Sequence, residues 1–372
     1  GVVRQPGGSR LIFTRDAGGS EFSQIFILDP ADGATSMLTD GKSRNGSTSW
    51  DRDGRRIAYS STARNGAAND VWMMDPDDPE NAQIIGESQD GAYWSPTEFS
   101  ASGSKVLVQT YVSSADSRVG IADRDTGALT LVAGGPDNPS TNAPVAFDDE
   151  NDGVWFITDQ GSEFRRLAWQ SAEAGAEPEI ITTDLDWDVS GAEISHDRRR
   201  IAFSTNENGM SRVYLMDTAS RQYRVVDAIP TGLAFGLTFS PDDRRLAMTL
   251  SSATTPSDVF VLDLEAEPLG YGRLTRWTES EVGGLDTSVF RTPELIHYPT
   301  FDEVDGKPRE IPAWIYRPAG PGPYPVIISI HGGPESQSRP GFSSMFQMWV
   351  AKLGAAVIRP NVRGSSGYGK TY

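Results

Sequence analysis

The chain has 372 residues, with 51 acidic and 33 basic side chains and a net charge of −18. Neutralising phosphates needs clustered Lys and Arg, so this balance argues against nucleic acid and against an anionic membrane surface as partners. There is no cysteine, which excludes disulfides, thiolate metal sites and a cysteine nucleophile.

The length allows two or three domains. No apolar run approaches the ~18 residues of a membrane span. The opening GVVRQPGG is no signal peptide, and it lacks a starting Met. The expectation is a cytoplasmic chain whose natural beginning lies upstream. The 38 glycines and 24 prolines point to many short strands and turns. The three histidines, His196, His297 and His331, lie far apart and without an HExxH spacing. No metal and no cofactor is expected.

A unit recurs along the first three quarters. Arg55-Arg56-Ile57-Ala58-Tyr59-Ser60-Ser61 matches Arg199-Arg200-Ile201-Ala202-Phe203-Ser204-Thr205 and Arg244-Arg245-Leu246-Ala247-Met248-Thr249-Leu250. Looser copies start at Arg10, Lys105 and Gly153. Each copy follows a polar turn, such as DRDG, SHDR or SPDD. A second apolar run follows it and in most copies ends on an Asp: Asp29, Asp75, Asp123, Asp217 and Asp263. The turns recur about every 45–50 residues, the period of a four-stranded propeller blade. Six blades are visible over residues 1–290. The first has little of its innermost strand, and seven blades are expected in the intact protein.

The pattern changes after residue 290. Pro293–Phe301 and Ile311–Arg317 read as a hairpin around Asp305-Gly306. Pro325–Ile330 (PVIISI) is a continuous apolar run, expected to be a strand buried on both faces. Apolar residues at Phe342, Met345, Phe346, Trp349, Val350 and Leu353 mark one helix face, with Gly354 placed as a C′ glycine. Ala355–Ile358 is a further strand. This βαβ pattern begins a parallel sheet. Residues 291–372 are therefore expected to be the start of a second domain, cut short at Tyr372.

His331-Gly332-Gly333-Pro334 follows the first of these strands, at the end where α/β sheets bind ligands. Paired glycines let a backbone N–H point into a cavity, as an oxyanion donor must. An ordinary Gly-Pro turn is the plain alternative. Gly364-Ser365-Ser366-Gly367-Tyr368-Gly369-Lys370-Thr371 fits the phosphate-binding pattern GxxxxGK[ST]. Its context is poor, because Pro360 to Arg363 separate it from the strand and no helix is seen at Lys370. His196 reads as a surface turn residue and His297 as a structural strand residue. Glu21 and Glu163, in the repeated loops DAGGSEF and DQGSEF, could meet a substrate amine, but solvated loop positions are the favoured reading. Acidic stretches at Asp75–Asp78 and Asp148–Asp152 lack EF-hand spacing.

A propeller followed by PVIISIHGGPESQSRPGF and then RPNVRGSSGYGKTY resembles the prolyl oligopeptidase family of serine peptidases, and within it the acylaminoacyl-peptidase-like branch. The resemblance covers essentially the whole chain, and the HGGP and NVRGSSGYG motifs in that order are its specific part. It implies an all-β propeller followed by the beginning of an α/β-hydrolase domain. It also implies peptide hydrolysis through an acyl-enzyme, with the propeller restricting access to short peptides. Gly333 would supply the oxyanion-hole N–H within the Gly332-Gly333 loop. His331 would shape that loop, and Arg363 and Tyr368 would be mainly structural. The chain has no GxSxG elbow and no later Asp and His, so it should be inactive alone. Expected partners are peptide substrates, the remainder of its own catalytic domain and, as an option, a second copy of itself. A non-catalytic propeller that binds proteins and an esterase on the same scaffold are the rival readings.

Overall fold

The computed structural model describes residues 1–372 apart from 90, 149–152, 174, 305 and 334. Asp305 of the hairpin turn, Pro334 of HGGP and residues 149–152 of the acidic stretch therefore lie outside the described residues. Among the described residues the chain forms seven four-stranded sheets. It divides into two compact units: residues 1–161 with 167–182, and residues 162–166 with 183–372.

The first unit carries four antiparallel meanders. Blade 1 holds β1–β4 (Val2–Arg4, Leu11–Arg15, Gln24–Leu28, Thr35–Met37) and blade 2 holds β5–β8 (Asn45–Trp50, Ile57–Ser61, Asp70–Asp75, Asp78–Gly86). Blade 3 holds β9–β12 (Trp94–Phe99, Lys105–Ser113, Asp116–Asp123, Leu129–Ala133) and blade 4 holds β13–β16 (Asn142–Phe147, Gly153–Thr158, Arg166–Ser171, Glu179–Ile180). The second unit carries blade 5, β17–β20 (Asp188–Ile194, Arg200–Glu207, Met210–Asp217, Tyr223–Val225), and blade 6, β21–β24 (Leu233–Phe239, Arg245–Ser251, Asp258–Leu264, Tyr271–Arg276). These are the six expected blades, and the first strand of blade 1 is indeed only three residues long.

The RRIAYSS-type strand is apolar on both faces because a blade is covered on both faces. Ile57 and Tyr59 join the core shared with blade 1, beside Ile12, Ile25 and Trp50. Ala58, between them, joins the core shared with blade 3, beside Phe99 and Val108. In blade 3, Leu107 faces blade 4 with Phe147 and Phe156. In the second unit, Leu215, Phe239 and Leu246 form the corresponding core between blades 5 and 6.

The polar turns share one hydrogen-bonding scheme. Asp51 Oδ1 accepts from the Arg55 and Arg56 N–H groups. The hydroxyls of Ser100, Ser195 and Ser240 accept from the N–H groups of Lys105, Arg200 and Arg245. The Asp that ends the third strand caps the next turn: Asp123 Oδ1 accepts from Asp125 and Thr126 N–H, and Asp217 Oδ1 from Ala219 N–H. These are Asx turns, so the repeated Asp is explained locally.

The seventh sheet differs. β25 (Glu294–Val304) and β26 (Lys307–Tyr316) form the hairpin, longer than the sequence pattern marks; β27 (Val326–Ile328), α1 (Ser344–Ala351) and β28 (Ala356–Pro360) follow. The order is β25-β26-β28-β27. β27 pairs with β28 in parallel, from Val326↔Ala356 to Ile328↔Ile358, so the βαβ unit is present. Ser343 caps α1 by accepting from Phe346 N–H, and Gly354, at φ 63°, ends it.

Two details depart from expectation. PVIISI is not buried on both faces: Val326, Ile328 and Ile330 are 55, 62 and 67% exposed. The reason is position, since β27 is the sheet edge. On α1, Phe346 and Val350 pack with Tyr316, Val357 and Ala253, but Met345 and Leu353 are exposed. The buried face turns instead towards Gln347, whose amide donates to the Ala253 and Arg291 carbonyls and accepts from Arg291 N–H. No helix among the described residues is long and apolar enough to cross a membrane.

Candidate active site

The HGG loop leaves the carboxyl end of β27, where Ser329 N–H still bonds the Ile358 carbonyl. Gly333 adopts φ 131°. A Cβ there would lie 2.7 Å from the Glu335 nitrogen, so only glycine fits. Among the described residues no acceptor engages the Gly332 or Gly333 N–H groups.

The second motif holds this loop. Asn361, fully buried, accepts from Ser338 N–H at 2.6 Å and donates back to the Ser338 carbonyl at 3.1 Å. Ser366 N–H donates to the Ser336 carbonyl at 3.0 Å. His331 Nε2 lies 2.9 Å from Ser365 Oγ. Asn361 also donates to the Tyr368 hydroxyl at 2.9 Å, and the Tyr372 hydroxyl donates to the Asn361 carbonyl. Burial raises the Tyr368 phenol; burial and then Tyr368 itself lift Tyr372 to about 12. Both phenols therefore stay neutral hydrogen-bonding groups.

Arg363 and Tyr368 occupy the structural positions expected of them. Arg363 Nη1 reaches Thr300 and Asp302, both at 3.2 Å, and Arg309 Nε joins Asp302 at 2.9 Å. Burial alone would push Asp302 up, but Arg309 and Arg363 outweigh it and hold the carboxyl below the usual range. Tyr368 packs edge-on against Trp187 at 6.4 Å.

The glycine-rich run is pressed against blade 5 and the DQGSEF loop. A Cβ on Gly367 would strike Asn206 Nδ2 and come within 2.9 Å of Gln337 Nε2. A Cβ on Gly369 would strike Glu163 Oε1. Glu163 is exposed, as the favoured loop reading expects, but its carboxylate is also engaged. Its carboxylate accepts from Thr371 N–H at 2.7 Å and from the Thr371 hydroxyl at 3.0 Å, and its carbonyl accepts from Lys370 N–H. No local pattern marks this contact, because the partners lie 208 residues apart. The phosphate-cradling alternative fails on the same geometry: the N–H groups of Gly364, Ser366, Lys370 and Thr371 are already engaged.

Further contacts join this segment to blade 5 within the second unit. Asn206 Nδ2 donates to Gln337 Oε1 at 2.7 Å. Arg339 donates to the Gly209 carbonyl at 2.9 Å and the Ser211 hydroxyl at 3.0 Å. His196 is an exposed turn residue as expected, though its Nδ1 pairs with Asp243 at 2.9 Å. His297 is exposed on β25, and Glu21 on its loop. Asp75, Asp77 and Asp78 spend their carboxylates on a turn N–H, on Arg10 and on Asn81 respectively.

Residues 3–270 match the model of the prolyl oligopeptidase N-terminal β-propeller domain. Among curated proteins, the chain is similar to an uncharacterised peptidase, YuxL, of Bacillus subtilis, 33% identical over 136 residues, which is 36% of this chain and 19% of that protein. It is also similar to dipeptidyl peptidase family member 6 of Caenorhabditis elegans, 24% identical over 255 residues, covering 63% of this chain and 33% of the other. The chain thus spans a third or less of the length of these two relatives. Among solved structures, prolyl oligopeptidase B of Galerina marginata superposes with TM-score 0.80 at 15% identity, covering 100% of this chain and 54% of that one. A puromycin-hydrolysing peptidase of Mycobacterium tuberculosis does so with TM-score 0.78 at 17% identity, covering 100% and 58%. With six repeated blades, a βαβ unit behind them and a family model matched over most of its length, the chain belongs to the prolyl oligopeptidase family, whose members are peptidases.

Proposed function

We propose that the protein containing this chain is a serine-type peptidase that cleaves short peptides through an acyl-enzyme, and that the Gly333 N–H is one of its oxyanion donors. Residues 1–290 are the propeller that restricts access, and residues 291–372 begin the peptidase domain. The HGGP and NVRGSSGYG motifs support a reading within the acylaminoacyl-peptidase-like branch.

One observation carries the reading. The Gly333 N–H is unengaged among the described residues, at the end of a parallel strand where such sheets do chemistry. In the proposed reaction a Ser hydroxyl from beyond this chain adds to the scissile carbonyl and passes its proton to a His. The carbonyl oxygen takes the negative charge, and Gly333 donates to it. The C–N bond then breaks as that proton moves to the leaving amine, and water cleaves the ester. The propeller supports selection by size.

The test uses the full-length protein. It should be labelled by a fluorophosphonate, with labelling suppressed by short acyl-peptides and untouched by a folded protein. Gly333→Ala forces a left-handed position onto a residue with a Cβ, and misplacing one donor should lower kcat on the order of 10²-fold. No labelling, or a Gly333→Ala variant of normal kcat, would defeat the reading.

A further inference from the structure

We infer that Ser365 is a positioning residue for the Gly333 donor, acting through the imidazole of His331. This rests on the peptidase reading above and adds to it a residue that neither motif marks as functional.

His331 Nδ1 lies 3.0 Å from the Gly332 carbonyl oxygen. That carbonyl and the Gly333 N–H belong to the same peptide unit. A carbonyl only accepts, so Nδ1 carries the hydrogen between them. In a planar trans peptide the C=O and N–H point in opposite directions. Holding the oxygen therefore sets the direction of the Gly333 N–H. It also polarises the unit, since a hydrogen bond accepted at C=O strengthens the donor at N–H.

The imidazole can do this only if its other nitrogen is held. Ser365 Oγ is 2.9 Å from Nε2 and also donates to the Val362 carbonyl at 2.6 Å. Ser365 is 3% exposed, and its N–H bonds the same Val362 carbonyl. With Nδ1 carrying the ring hydrogen, Nε2 can only accept, so the single hydroxyl hydrogen of Ser365 is shared between Nε2 and the Val362 carbonyl, and the turn beneath fixes the position of Ser365. The chain of contacts is Val362–Ser365–His331–Gly332, ending on the peptide whose N–H is unengaged among the described residues. The other links between the two loops, Ser336–Ser366 and Ser338–Asn361, reach residues 336 and 338 and not this peptide.

In the full-length protein, Ser365→Ala should lower kcat on a short acyl-peptide anilide about tenfold, with KM changed less than twofold. Ser365→Thr, which keeps the hydroxyl, should recover most of the loss. His331→Ala should lose at least as much, and the double variant Ser365→Ala/His331→Ala should be no slower than His331→Ala alone, because the two act as one unit. Amide exchange over residues 331–336 should quicken in Ser365→Ala while the blades keep their protection. This readout holds even if activity is hard to measure. A normal kcat in Ser365→Ala, losses that multiply in the double variant, or unchanged exchange over 331–336 would overturn the inference. If wild-type protein takes the fluorophosphonate label and the variants show none of these effects, positioning by Ser365 fails alone. If wild type is not labelled, the peptidase reading falls and the inference with it.

Discussion

Asp258 is 1% exposed at the start of β23, yet it is built to be charged. Burial pushes its carboxyl up; hydrogen bonds from Arg276, Thr278 and Ser280 outweigh that and hold it below the ordinary carboxylate range. Arg276 Nη2 lies at 2.5 Å, the Thr278 hydroxyl at 2.9 Å and Ser280 N–H at 2.8 Å. Asp70 opens β7 in the same way, with Arg64 Nε at 2.7 Å and Ser88 N–H at 2.9 Å. Gln24 opens β3, its Oε1 gathering Thr39, Gly41 and Asn45. These residues tie the loop after each fourth strand back to the third strand. Asp258→Ala should cost about 1–2 kcal/mol, the loss of hydrogen bonds to a charged group, since the Arg276 left behind is 38% exposed, read as a lower denaturation midpoint. Because the folded carboxyl sits below its unfolded value, its contribution is present above the unfolded carboxylate range. It is lost as pH falls through the depressed folded value. The Asp258→Ala variant should therefore show a flatter fall of stability with acid than wild type. The Asp that closes the third strand in most blades is visible in the sequence because it makes a local turn. The residue that begins that strand is not, because its partners are not local. Gly367 and Gly369 were visible only as a motif. Their reason is close approach to Asn206, Gln337 and Glu163, and Gly369→Ala should destabilise by roughly 1–3 kcal/mol. Gly320→Ala, also left-handed but with open space around it, should cost less in the same denaturation experiment.

At the scale of elements, the blades were legible because each repeats one pattern: a capped turn, a strand apolar on both faces and an Asx-closed hairpin. The βαβ unit was legible for the same reason, since the helical and strand periods differ. What could not be read was which face of an apolar element finds a neighbour. β27 is as apolar as a central strand, but it lies at the edge of its sheet. α1 turns Gln347 inward because the carbonyls of Ala253 and Arg291 await its amide. An exposed apolar edge strand invites pairing with another chain. The 372-residue chain should self-associate as its concentration rises. Ile328→Lys should reduce that association, followed by light scattering, without lowering the thermal midpoint. Equal scattering from both proteins would show that the edge is not the contact.

At the scale of the molecule, composition spoke mainly of what to exclude, while the 45–50-residue period and two short motifs carried the family. The structure joins the two motifs: HGG and NVRGSSGYG are neighbours held by His331–Ser365, Ser336–Ser366 and Ser338–Asn361. The same second unit brings blade 5 and the DQGSEF loop against that pair through Asn206–Gln337 and Glu163–Thr371. The peptidase reading rests on this conjunction of repeat, motif pair and a Gly333 N–H unengaged among the described residues. Fluorophosphonate labelling of the full-length protein beside the 372-residue chain tests it most directly. The prediction is a labelled full-length protein, protected by short acyl-peptides, and an unlabelled 372-residue chain. A full-length protein that takes no label, or label on the 372-residue chain itself, would contradict it.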